Sequence, residues 1–219
     1  MNLAASLFPL VCWVLYGQLV RLIESRRPSL SAIMSAQRRR WVANAVHRDT
    51  PLDAILASNL MGSISFFAST TVLLLLALFT IFSQIEFVLG SLSMIVPGEM
   101  IARADVERHL LALAVMFMLA FLVFTLSLRQ FNHFCIMLGA ADHNVISNDA
   151  EIDAISSLNS LGARNFNQGI RAYYFAIPAL VWFLSPLASI AATIAIVLFL
   201  IQREFYSSAR QMMADLKQH

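Results

Sequence analysis

The sequence is short of charge. Only 13% of its 219 residues are charged, about half of the roughly 25% found in soluble domains, while 59% are hydrophobic and mean hydropathy is +0.72. This excludes an ordinary soluble domain and points to a chain whose solvent is lipid. Lysine is almost missing: Lys217 stands alone beside fourteen arginines. Formal net charge is only +2, so there is no global affinity for polyanions and no nucleic-acid partner is expected. There are two cysteines. Cys12 lies inside the first apolar run and Cys135 just past the third, at different depths, so no disulfide is expected, and neither has a second thiol at metal-ligand spacing. The chain also lacks a P-loop and the GxGxxG, HExxH, GxSxG and CxxCH patterns. Glu86, Glu99 and Glu204 are expected outside and Asp53 inside, none with an obvious His or Ser partner. No enzymatic activity, cofactor or metal is expected.

What is present is a set of long apolar runs. In lipid the backbone must satisfy its own hydrogen bonds, which leaves helices or a closed barrel, and unbroken runs exclude the alternating strands of a barrel. The expected fold is all-α and polytopic. One domain over 1–219 carries four transmembrane helices at about 3–23, 56–82, 110–131 and 173–201, with amphipathic interfacial helices between them. Met1-Asn2-Leu3 has no positive n-region and no small-x-small cleavage site ends the first run, so that run is read as a retained span. Seven arginines from Arg21 to Arg48 follow it. By the positive-inside rule they hold that flank in the cytoplasm of what is expected to be a bacterial inner (plasma) membrane. Four crossings then put both termini outside, with Arg203, Arg210 and Lys217 in an outer tail.

Pro28 separates the first span from a basic amphipathic helix at 29–47. Ile33, Met34, Trp41, Val42, Ala45 and Val46 share one face; Gln37, Arg38, Arg39 and Arg40 lie largely opposite. Trp41 and the three arginines are expected to anchor it among anionic headgroups, or the charge simply fixes topology. Thr50-Pro51-Leu52-Asp53 resembles a helix start. In the helix that follows, Ser58, Gly62, Ser65 and Ser69 make a small-residue stripe suited to close helix packing, or alternatively a hydroxyl ladder lining a pore. Residues 84–96 are apolar but too short to span roughly 30 Å of hydrocarbon, and are read as interfacial or re-entrant, ended by Pro97-Gly98. An inner segment at 139–171 is expected to hold a short helix through Ile152, Ile155, Leu158 and Leu161, stopped near Gly162. Its acids are placed to face the basic helix. Pro186 predicts a kink in the fourth span, with Ser185 and Ser189 satisfying the freed carbonyls.

The best candidate site lies at the inner ends of the third and fourth spans. Phe124 to Phe134 turns polar with neither Gly nor Pro to stop a helix, carrying Arg129, Gln130, Asn132 and His133 to the membrane surface. Asn165, Asn167, Gln168 and Arg171 precede the fourth span beside Tyr173 and Tyr174. Bundle rules bring these ends together, and an anion, a lipid headgroup or an acidic partner would complement them. The plainer alternative is arginines snorkelling to phosphates while the amides cap helix ends. For haem, His109 and His133 are too far apart on one helix, about 36 Å at helical rise, to share an iron; His133 with His47 or His143 is sterically possible.

Four stretches in order carry a likeness to a known family. They are Ser65-Phe66-Phe67-Ala68-Ser69-Thr70-Thr71, Ser127-Leu128-Arg129-Gln130-Phe131-Asn132, Gly169-Ile170-Arg171-Ala172-Tyr173-Tyr174-Phe175, and Arg203-Glu204-Phe205 with Ser207 or Ser208 following. Over nearly the whole chain the sequence resembles the uncharacterised membrane-protein family catalogued as domain of unknown function 599. It departs from that pattern at Thr125 or Leu126, where Trp is common, and at Ile170, where Leu is usual; neither change touches a charged position. The resemblance implies four spanning helices and lends no activity or catalytic residue. The expected function is therefore that of a non-enzymatic, oligomeric or accessory membrane component. Its partners would be anionic lipid, a second copy or another membrane protein. A small oligomeric channel or transporter for an ion or small anion is the alternative.

Overall fold

The structure, a computed structural model, describes residues 2–48, 51–95, 102–142 and 149–215. These residues are helical almost throughout: α1 (Asn2–Glu24), α2 (Leu30–Ala45), α3 (Pro51–Ser83), α4 (Ile85–Ile95), α5 (Arg103–Gly139), α6 (Asp149–Val181), α7 (Pro186–Tyr206) and α8 (Ser208–Asp215). Four stretches are long and apolar enough to cross a membrane: Leu3–Glu24, Pro51–Ser83, Arg103–Gly139 and Pro186–Ala214. The first three contain the spans expected from the sequence. The fourth does not.

α5 and α6 form the central antiparallel pair. Along their seam Ser127 Oγ donates to Gly162 O (2.7 Å), Asn165 Nδ2 donates to Gln130 Oε1 (2.7 Å), and His109 Nε2 reaches Ala179 O (2.8 Å). Gly162 and Gly169 let the helices close. A Cβ on either would sit 2.7 Å from the Phe131 ring or 2.5 Å from the Phe124 ring. The expected stop at Gly162 is thus overridden: the residue is fully helical and is small because Phe131 fills its place. Phe124, Phe131, Phe134 and Phe175 make the middle of the core with Tyr16 and Met116.

α6 ends at Val181 and α7 starts at Pro186, so residues 173–201 are a hairpin and not a single span. The physical reason is local. Ser185 caps α7, accepting from Ala188 N, and Pro186 occupies the first turn, where its missing N–H costs nothing. Ser189 Oγ then donates back to Pro178 O (2.8 Å), so the two serines do satisfy freed backbone, but across a turn and not across a kink. Tyr174 packs against Phe199 and accepts from Arg203 Nη1 (2.8 Å), which fixes α7 antiparallel to α6.

This hairpin changes the ends of the molecule. α2, the start of α6 and the ends of α1 and α7 gather at one end, called here the basic end. Arg210 Nε donates to Pro28 O (2.9 Å) and Arg27 lies over the Tyr206 ring. At the far end Ala5 packs with Ile85, Leu92, Val106, Leu110 and Trp182. The start of α1 and the end of α7 therefore lie at opposite ends of the bundle. Thr50, Pro97-Gly98, His143 and Lys217 lie outside the described residues.

α3 buries Asp53, Ala57, Ile64, Ala68 and Thr71. The stripe expected to pack, Ser58, Gly62, Ser65 and Ser69, is exposed instead, and a Cβ on Gly62 would meet nothing within 4 Å. The inward stripe is also built from small residues, but one residue around the helix, about 100°, where Ala57, Ala68 and Thr71 meet α5 and Tyr173.

Candidate functional site

At the basic end α2 lies across the bundle. Ser29 starts it, accepting from Ala32 N (3.0 Å), and Ile33, Val42 and Ala45 turn inward. Arg39 bridges to Asp149 (2.9 Å) and Asp153 on α6; these two carboxylates raise the Arg39 pKa above its ordinary value. The acids of the inner segment thus face the basic helix as expected. Trp41 Nε1 donates to Asp53 Oδ1 (2.6 Å), Arg48 holds the same carboxylate (2.7 and 2.9 Å), and the indole lies against Phe134. The donor that an interfacial anchor would offer to headgroups is spent on Asp53. Arg40 is exposed, and Arg38 is half-buried.

The residues expected to form one ligand site separate into four places. Arg129 is exposed, its Nε 3.5 Å from His133 Nε2, and Asn132 is exposed beside it. Gln130 is taken up by Asn165 in the α5–α6 seam. Tyr173 turns to α3, bonding Thr71 Oγ1 (2.8 Å) and donating to Phe67 O (3.2 Å). Asn167 and Arg171 face the opposite way, toward α1, α2 and α7, because they sit on the other side of α6.

There they line two adjoining cavities. The larger, about 400 Å³, lies between α1 and α6 and is bounded by Trp13, Gly17, Gln18, Arg21, Glu24 and Arg164 with Asn165, Asn167, Gln168 and Arg171. The smaller, about 260 Å³, lies under α2 and adds Tyr16, Arg38, Tyr174, Arg203 and Glu204. Ser31, Asn167 and Arg171 belong to both. Arg171 is clamped: its guanidinium lies 4.6 Å from the Tyr16 ring centre and 3.7 Å from Glu204 Oε2, while Glu204 also accepts from Ser31 N (3.0 Å). Trp13 Nε1 donates to Gln168 O (2.9 Å) and floors the larger cavity. Tyr16 stands eight residues before the end of α1, about 12 Å down its axis, so the Arg171–Glu204 pair is sunk below the last turn.

The charge around this space is lopsided. Five arginines face two glutamates, and Glu24 is already engaged by Ser29 Oγ. Arg38 and Arg164 make no hydrogen bond or ion pair with any described residue. Burial, and secondarily the nearby Arg164 charge, push the Arg38 pKa below its ordinary value. Such an arrangement attracts anions. No group of three or more His, Cys, Asp or Glu suited to a metal occurs among the described residues. His109 and His133 are at opposite ends, as their spacing requires.

Sequence reasoning missed Glu204, Arg203 and Tyr16 as members of this site because it placed 203–204 on the other side of the membrane. The signal was present. Ser185-Pro186 repeats the helix-start grammar recognised at Thr50-Pro51, and a second helix beginning there returns Glu204 to Arg171.

Neither a curated protein nor a solved structure matches the chain. One family model does, over residues 4–209, and it is described as a protein of unknown function, DUF599. With nearly its whole length matched, the chain belongs to that family.

Proposed function

We propose that this is a non-enzymatic integral membrane protein of a bacterial inner membrane, an accessory or self-associating component that turns its arginine-rich end to the cytoplasm and engages anionic lipid there. One observation carries the reading. Of the fourteen arginines, twelve lie at the basic end and only Arg103 and Arg108 at the far end, where Glu86, Glu107 and Asp105 pair with them. The positive-inside rule then orients the bundle, with α6 as a fifth crossing whose polar residues face the cavities. α2 and α8 supply the surface at the headgroup level.

The rival, a channel or transporter, needs a conduit. Beyond the cavity floor Met116, Phe117, Ala120 and Phe175 are buried in the core, so within one protomer the path is blind. Conduction would have to run between protomers.

Native mass spectrometry and light scattering on the detergent-purified protein test the reading. Retained anionic phospholipid, or a particle larger than one copy, is the expected result. A strict monomer with no lipid preference would overturn it.

A further inference from the structure

We propose that the larger cavity is a lateral site for a phosphate monoester, supplied by an anionic phospholipid headgroup, with Arg164 and Arg171 of α6 as its cationic contacts. The inference rests on the reading of the basic end as an anionic-lipid surface and narrows it to one place and one chemistry.

Three observations converge. The first is the charge of the lining. Arg21, Arg164 and Arg171 border the cavity; Arg171 has Glu204 within reach, whereas Arg164 makes no ion pair with a described residue. A guanidinium lining a cavity without an acid is free to take an anion, and its planar fork matches phosphate oxygens two at a time. The surplus of arginine over glutamate around the joined cavities favours a dianion and disfavours a zwitterionic head that would add a cation.

The second is the opening. Val14, Gly17 and Gln18 of α1 are exposed at the cavity rim, and a Cβ on Gly17 would meet nothing within 4 Å. The mouth therefore faces sideways between α1 and α6, toward the bilayer, with apolar Val14 below and Arg21 above. Acyl chains can leave past Val14 while the head stays at the level of the arginines. The third is the amide lining. Asn167 makes no hydrogen bond with a described residue and adds a donor beside Arg171, while Gln18 and Gln168 complete a polar wall.

The full chain, purified and exchanged into nanodiscs, is probed by native mass spectrometry with dioleoyl phosphatidic acid, dioleoyl phosphatidylcholine and inorganic phosphate. Retention of phosphatidic acid over phosphatidylcholine is expected. Arg164→Gln should lower it about tenfold, the scale of one lost charge-assisted pair, while Arg26→Gln, an equal loss of charge outside the cavities, should change it less than about twofold. Arg164→Lys should recover only part. Gly17→Leu, which narrows the mouth without altering charge, should reduce lipid retention. Equal losses from Arg164→Gln and Arg26→Gln would sink the site and leave the broader lipid-surface reading standing. No preference for phosphatidic acid at all would sink both. Displacement of lipid by millimolar phosphate, with Gly17→Leu inert, would overturn the lipid source in favour of a soluble anion. Because Arg164 is exposed, its variants keep the fold, and their melting curves check this.

Discussion

Gly169 and Phe124 hold the central helix pair at its closest approach. A methyl group on Gly169 would lie 2.5 Å from two ring carbons of Phe124, and that ring is itself packed among Phe67, Phe166 and Tyr173. It has nowhere to retreat. Gly169→Ala should therefore destabilise by about 1–3 kcal/mol, the usual penalty of overpacking, and Phe124→Leu should restore part of the loss, both read as thermal unfolding in detergent. At the other end of the seam His109 is fully buried, stacked 4.2 Å over Trp182, and supplies the hydrogen bond to Ala179 O where α6 stops. His109→Phe keeps a ring but leaves Ala179 O with the Trp182 N–H (3.3 Å) alone, at a cost of about 0.5–1.5 kcal/mol, that of one hydrogen bond; His109→Gln, still a donor, should lose less. Unfolding at the wild-type temperature in His109→Phe would show that the second bond adds nothing.

The first three spans were legible as elements because each is an apolar run long enough to cross the roughly 30 Å hydrocarbon core. The polar flanks were partly legible too. Arg39 meets Asp149 and Asp153, and Gln130 meets Asn165, since charge and amide content already marked those segments as neighbours at one end. The α6–α7 hairpin was not legible from hydropathy. A turn of four residues, Trp182 to Ser185, is as apolar as the helices it joins, so a sliding average runs straight through it. α6 hid for the opposite reason: the stretch up to Arg171, carrying Asp149, Asp153, Arg164 and Arg171, dilutes the signal of the remainder. Cysteine labelling decides between the two topologies. In a background with Cys12 and Cys135 replaced by serine, a cysteine at exposed Met212 should label from the same side as one at Arg40, and from the side opposite Phe87. Labelling of positions 212 and 87 from one side would restore the single span and dismantle the hairpin.

For the whole molecule, the hairpin sharpens the charge asymmetry, since Arg203 and Arg210 join the basic end in place of an outer tail. It also leaves much of α3 outward: Phe66, Leu73, Leu76 and Phe79 are exposed along with the small stripe. If the stripe meets a second copy, Gly62→Leu should reduce the particle mass without lowering the melting temperature, because the added side chain has free space in the protomer. An unchanged mass would remove α3 from any contact between copies. The half-polar character of α6 has a bearing on biogenesis as well. A nascent chain that stops at Leu184 presents an insertase with a segment too hydrophilic to partition by itself. If α6 crosses the membrane, it should do so only once α7 has emerged, bringing Glu204 to Arg171 and its own oily surface to Tyr174, so that the hairpin inserts as a unit.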